Sequence, residues 1–302
     1  MKKITSSAFF WIVLLSVIAK ENVNTQLDLN EAVKSGKVKC TITGNEKSTH
    51  YLQPVIVQLE NTDKKSITIS INNGDLFIPQ DSVYQNIIVT QDALFVLKPN
   101  EKKAMPVSGM CIEQFDKAGL GTTHYAYAAN KNDSLKMLSA FLQKNKMQSS
   151  CAQYAMWCLA NHTNINSVFS SDSTEENKLK SFLAQLTGRT FSVSDKNYKN
   201  YYFAPPKEKV SGKFNFNFSN PADIQIALFN KNGILVRELY NEKNVQPGAH
   251  NFQYAFDASV YTEDIYYVKF IADNEVFINR EWDVKAIRDK FKQKIQQKLN
   301  GN

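Results

Sequence analysis

Cysteine and histidine are the residue types in this chain best suited to nucleophilic or metal chemistry, and there are four of each. Cys151 follows Ser150 at a predicted helix start, where the N-terminal dipole stabilises a thiolate. A cysteine-dependent enzyme would also need a histidine carried to that sulfur by the fold. His124, His162 and His250 qualify by number alone and none lies in a motif, so no catalytic residue is assigned. The spacings contain no CxxC, no HxxxH and no acidic loop of calcium type. Nor is there a GxSxG, a phosphate loop or a dinucleotide fingerprint, so neither metal nor cofactor is expected.

Cys151 and Cys158 lie on one predicted helix, separated by about 10.5 Å along its axis, beyond the ~7 Å Cα limit for a bridge. They are expected to remain buried thiols. Cys40 falls on the first strand and Cys111 on the last strand of a predicted N-terminal β-domain, so Cys40–Cys111 is the preferred disulfide, with Cys111–Cys151 as the alternative.

The segment Ala152-Gln153-Tyr154-Ala155-Met156-Trp157 resembles the helix motif of bacterial thioester adhesin domains, in which a glutamine side chain is joined to a distant cysteine. The resemblance implies Gln153 as the acyl partner and Cys111, within Met110-Cys111-Ile112, as its sulfur. Such a bond is a masked electrophile for a well-placed amine or hydroxyl. Read from the residues alone, Gln153 and Trp157 share a helix face and simply pack and hydrogen-bond inside a helical layer.

The elements that must position these residues fall into parts. Residues 1–19 read as a cleaved signal: Lys2 and Lys3, an apolar run from Ala8 to Ile18, and small Val17 and Ala19 before Lys20. The run is shorter than the ~20 residues a helical span needs, so no transmembrane segment is expected. Residues 27–116 read as an immunoglobulin-like sandwich behind a short helix carrying Leu27, Leu29, Ala32 and Val33. Its expected strands are Val38–Thr43, Pro54–Leu59, Ser66–Ile71, Leu76–Ile78, Tyr84–Thr90, Ala93–Leu97 and Ala104–Ile112.

Residues 130–188 change to a helical period and predict a small three-helix region. Asn132 or Asp133 caps the first helix, the second is Ser150–Ala160, and the third runs from Ser173 to a stop at Gly188. Residues 190–209 form a connector whose Tyr198, Tyr201, Tyr202 and Phe203 are candidate interaction residues; the alternative is that they pack the β-parts together. Residues 210–284 are β again, with Phe214, Phe216 and Phe218 alternating with polar residues. Residues 285–299 form a basic amphipathic helix, to be docked on the protein or on an anionic surface or partner.

The succession Ile226–Gly233, Val236-Arg237-Glu238-Leu239, Gln246–His250, Asp257-Ala258-Ser259 and Ile265–Val268 resembles the immunoglobulin-like domain of flagellar hook-capping proteins and related bacterial secretion-sorting modules. The resemblance implies a sandwich used for interaction and assembly rather than chemistry.

The fold expected is thus mainly β: two immunoglobulin-like β-sandwiches separated by a small three-helix region. A net charge of +7 carried almost wholly by lysine, with only four arginines, argues against nucleic acid, whose readers favour bidentate arginine. The function expected is that of a secreted or periplasmic, non-enzymatic binding or structural protein of the bacterial envelope or an extracellular assembly. Its partner would be a protein or glycan there. The alternative is a thiol- or thioester-bearing protein, as a covalent adhesin or a cysteine-dependent enzyme.

Overall fold

A computed structural model describes residues 25–114, 116–170, 172–191, 209–258, 261–287, 289–290 and 293. The signal-like residues 1–19 and the connector aromatics Tyr198, Tyr201, Tyr202 and Phe203 lie outside them. So does most of the segment 285–299, although Asp283 accepts from Ala286 N at 2.8 Å and Val284 is buried. The chain is mainly β, with 43% strand against 23% helix.

The N-terminal part runs β1 (Thr25–Asp28), α1 (Leu29–Lys34), β2 (Val38–Gly44), β3 (Val55–Asn61), β4 (Ile67–Ile71) and β5 (Leu76–Pro79). It continues with β6 (Ile87–Val89), β7 (Ala93–Leu97), β8 (Lys102–Val107), β9 (Gly109–Cys111) and β10 (Tyr125–Ala128). Alternation makes these strands: Val55, Val57 and Leu59 of β3 are fully buried, while the residues between them face outward. The strands form sheets ordered β1-β4-β7, β2-β3-β8 and β10-β5-β6-β9.

Three details differ from the sequence reading. Leu27 belongs to β1, which pairs parallel with β4, and the helix begins only at Leu29, where the Asp28 side chain accepts from Asn30 N at 2.8 Å. The expected strand Ala104–Ile112 is broken at Ser108: β8 pairs with β3, whereas β9 crosses to β6 in another sheet. Finally, β10 was not anticipated, being four residues with little alternation in burial.

Three helices follow: α2 (Asp133–Lys144), α3 (Ser150–Ala160) and α4 (Ser173–Thr187). Asn132 caps α2 and Ser149 caps α3 through side-chain bonds to Leu135 N and Ala152 N. Gly188 ends α4 at φ +70°, a left-handed conformation that glycine adopts without strain. Helix α3 is apolar nearly all round and correspondingly central, with Cys151, Ala155, Met156 and Cys158 fully buried. Among the described residues no helix is long and apolar enough to cross a membrane.

The C-terminal part comprises β11 (Lys209–Phe218), β12 (Ala222–Asn230), β13 (Leu235–Val245), β14 (Gly248–Asp257), β15 (Ile265–Ala272) and β16 (Glu275–Asp283). The pair β11-β14 faces a sheet ordered β13-β12-β15-β16, and a second core lies between them. The β15–β16 turn places both Asp273 and Asn274 at positive φ, +47° and +70°, as a two-residue hairpin of this twist requires.

The four-stranded sheet is covered on both faces. Ile224, Ile226 and Leu228 of β12 and Tyr266, Val268 and Phe270 of β15 point into the second core. The alternate residues, Ala227 and Phe229 with Tyr267 and Ile271, pack instead against the core shared by the N-terminal sheets and the helices. The N-terminal sheets, the helices and one face of the C-terminal sandwich therefore share a continuous apolar interior.

Candidate functional site

Helix α3 presents a polar stripe at intervals of four residues to the end of β9. The Gln153 amide accepts from Cys111 N at 3.1 Å and donates to Cys111 O at 2.8 Å. One turn on, Trp157 Nε1 donates to Cys111 Sγ at 3.0 Å, and a turn further Asn161 Nδ2 donates to Ile112 O at 3.0 Å. Strand β9 is an edge of its sheet, and its outer backbone groups need partners. The loop before β3 supplies others, with Cys111 N reaching His50 O and Gly109 N reaching Leu52 O, both at 3.1 Å. The structure thus brings together Cys111 and Gln153, 42 residues apart, through an amide clamped onto the cysteine's own peptide groups.

The expected Cys40–Cys111 disulfide is absent: all four cysteines are free thiols. The break at Ser108 carries Cys111 into the β6 sheet, whereas Cys40 stays on β2 in the β2-β3-β8 sheet. Cys111–Cys151, the alternative, is equally unformed. Burial pushes the Cys40 thiol up to about 11 and raises that of Cys111 far above the usual range, with Trp157 opposing. At the start of α3 the Cys151 thiol is also pushed well up, first by burial and then by Glu175 and Glu238, which outweigh any help from the helix dipole. Cys158, raised mainly by burial, donates to Thr163 O at 3.3 Å.

A polar chain crosses the junction between the two β-parts. Tyr51 donates its hydroxyl to Gln225 Oε1 on β12. Gln225 Nε2 donates to Glu238 Oε2 on β13 at 2.9 Å, and Asn241 Nδ2 to the same oxygen at 3.1 Å. The Ser150 hydroxyl, in the first turn of α3, donates to that carboxylate as well. A carboxylate at a helix N-terminus is favoured by the dipole, and here Tyr51, Gln225, Ser150 and Glu238 are all buried.

Beside this chain a cleft of about 680 Å³ opens between the parts. That lies within the range of sites that enclose small ligands. Loops 45–54 and 117–120 with Tyr84 form one wall; the β12–β13 turn 230–233 with Tyr267, Lys269 and Asn279 forms the other. The walls are tied where Ala118 N donates to Asn232 O at 2.9 Å. Gly233 sits at φ +75°, and a Cβ there would come within 2.8 Å of Ala118 Cβ, so the close approach itself requires glycine.

His50 lines this cleft, enclosed by Tyr51, Phe229 and a stacked Trp157 at 5.6 Å. Its Nδ1 lies 2.6 Å from Gly233 O; a carbonyl only accepts, so Nδ1 carries the proton. Burial pushes the imidazole down to about 3, with the Gly233 bond opposing and Lys269 adding repulsion, so the ring is neutral. Nε2 has no hydrogen-bond partner among the described residues.

Lys269 is the second unusual group. It lies between Tyr267 and Ile271 on the strand face that packs against the N-terminal part, with Nζ 4.6 Å from the Phe229 ring centroid. It makes no ion pair among the described residues. Desolvation pushes its ammonium down to about 8.

No cleft residue belongs to the sites expected from sequence. His124 bridges its backbone to Thr43, and His250 lies on the far sheet, bonded to Gln246 O at 2.7 Å. His162 adopts φ +54° just after α3. Among the described residues no group of three His, Cys, Asp or Glu is placed to hold a metal. The one sequence signal for the cleft was the Asn232-Gly233 turn, which marks a hairpin and says nothing of what faces it. No protein-family model matches the chain, and no curated protein or solved structure is significantly similar to it.

Proposed function

We propose that this chain is an exported, non-enzymatic binding or structural protein of a bacterial envelope or extracellular assembly, and that the cleft between its β-parts is the binding site. The observation that carries the reading is the cleft itself: a concavity of mixed polar and apolar lining whose two walls come from separate β-parts locked together by the Tyr51–Gln225–Glu238–Ser150 chain. A rigidly held site loses little entropy on binding. Export is supported by Lys2, Lys3 and the apolar run before Lys20. An immunoglobulin-like C-terminal module is supported by its strand order, in which β13-β12-β15-β16 corresponds to C′-C-F-G and β11-β14 to the B-E pair. Such modules serve interaction on many unrelated proteins, so the strand order supports the class of function and not a partner.

The test is a photoreactive residue placed at Leu120, an exposed cleft position, and, as a control, at Lys39 on the exposed face of β2, in the cells that make the protein. A discrete product in the envelope or extracellular fraction from the cleft position alone is expected. Identical products from both positions, or none from the cleft, would overturn the reading.

A covalent adhesin is the second reading, favoured by the seating of Gln153 on Cys111. In it the thiol sulfur attacks the Gln153 amide carbon, forming a thioester and releasing one ammonia. Both residues are fully buried, so an external amine would need the α3–β9 interface to open. The intact mass decides: a loss of one ammonia, converted by methylamine into a mass one CH2 above that of the unmodified chain, establishes the thioester, and an unmodified mass removes it.

A further inference from the structure

We propose that the cleft takes an acidic saccharide of the uronic acid class, with Lys269 as counter-ion to its carboxylate and Asn232, Asn279 and Tyr84 as readers of its hydroxyls. The proposal rests on the cleft being a binding site and adds what it binds.

Lys269 occupies a position that folding alone would fill otherwise. Its neighbours on the same strand face, Tyr267 and Ile271, pack on the shared core, and the opposing residue Ala227 is buried there too. An ammonium at such a place loses hydration, which is why it releases its proton so readily. The Phe229 ring offsets part of that loss, and no carboxylate among the described residues offsets the rest. Lys117 and Lys231 also line the cleft, against one carboxylate, Glu46, which accepts from Gly121 N at 3.1 Å. The cleft is therefore positive, and its innermost cation lacks an anion.

The groups around Lys269 narrow the anion's class. Asn279 lies directly opposite Lys269 across the β15–β16 ladder. Asn279, Asn232 and Tyr84 have no side-chain hydrogen bond within the described residues, unlike Asn45 and Asn230, whose amides are spent on loop backbone and on Glu263. Amides and phenols both donate and accept. Sugar hydroxyls do the same, whereas a phosphate or sulfate offers only acceptors and is matched best by arginine forks. No arginine lines the cleft. A single lysine among uncommitted amides and a phenol fits one carboxylate on a polyhydroxylated ring.

The experiment is a resonance-shift titration of the isotopically labelled protein with D-glucuronate, with D-glucose as the uncharged ring and with acetate as the carboxylate without a ring. Glucuronate is expected to bind at least tenfold more tightly than either, with shifts confined to the cleft walls. Lys269→Met should reduce glucuronate to the glucose level with the remaining spectrum unchanged, and Lys269→Arg should retain most of the affinity. Equal binding of glucose overturns the counter-ion role, and equal binding of acetate overturns the saccharide. Absence of a saturable shift with all three overturns the inference as a whole, while the cleft's standing as a binding site is decided separately by cross-linking at Leu120.

Discussion

Replacing Glu238 tests whether the junction is held as the hydrogen bonds indicate. Its Oε2 receives the Ser150 hydroxyl, Gln225 Nε2 and Asn241 Nδ2. Ser150 and Gln225 are buried, so Glu238→Ala leaves both donors without an acceptor and without water; Asn241 is only half-buried and can turn outward. An orphaned buried donor costs about 1–3 kcal/mol, so the loss should be about 3–5 kcal/mol. Glu238→Gln keeps one acceptor oxygen, sacrifices the charge assistance, and should cost about 1–2 kcal/mol. Urea unfolding followed by fluorescence and by circular dichroism gives both numbers and shows whether one transition serves both β-parts. A cost below about 1 kcal/mol for Glu238→Ala, or equal costs for the two variants, would refute the reasoning, because the donors would then have other acceptors.

Further outcomes follow from the same geometry. His50 is neutral in the folded protein and takes a proton near its ordinary 6.5 when unfolded, so the unfolded state binds more protons between about 3 and 6.5. Stability should be complete above that window and fall as the pH drops through it, and a His50→Gln variant should lose that part of the dependence in pH-resolved denaturation. Lys269 is shifted in the same direction but at higher pH: the unfolded chain keeps its proton up to 10.5 while the folded one releases it near 8, so stability should rise with pH across that interval as well. For the same reason Lys269→Met should raise the urea midpoint at pH 7, and a lowered midpoint would show that the lysine has a structural anion partner. With Cys111, Cys151 and Cys158 buried, a maleimide should leave these thiols of the native protein unmodified and label all four cysteines in urea; rapid native labelling of Cys111 or Cys151 would contradict the burial described.

Elements with strong local signals were readable from sequence. Helix α3 was bounded at Ser150 and Ala160 by its cap and by apolar residues all round, and α4 stopped at Gly188 because only glycine sits easily at φ +70°. Strand β3 showed its alternation plainly. Strands β1 and β10 did not, since four residues carry no clear period and their pairing is fixed by distant neighbours. The disulfide expectation failed on one residue: the break at Ser108 moves Cys111 to a different sheet from Cys40, although Pro106 and Gly109 flank that break and punctuate the strand pattern.

The Cys111–Gln153 proximity was foreseen from a resemblance, yet the backbone clamp that the pair forms was not. The cleft was invisible for a more general reason. Its walls come from residues near 45–54, 117–120, 230–233 and 267–279, and each stretch reads locally as a turn or strand. Lys269 in a strand looks like a solvated alternate position until the other face of the sheet is found to be covered as well. Burial of that second face is a tertiary fact, with no counterpart in the local pattern.

Amide hydrogen exchange on the intact protein, with and without polysaccharide released from the envelope of the producing cells, tests the binding cleft most directly. Protection should appear on both walls together, at residues 45–50 and 117–120 on one side and 230–233 and 267–269 on the other. Protection confined to one wall, or located instead on the exposed Leu94 and Val96 face of β7, would contradict the account.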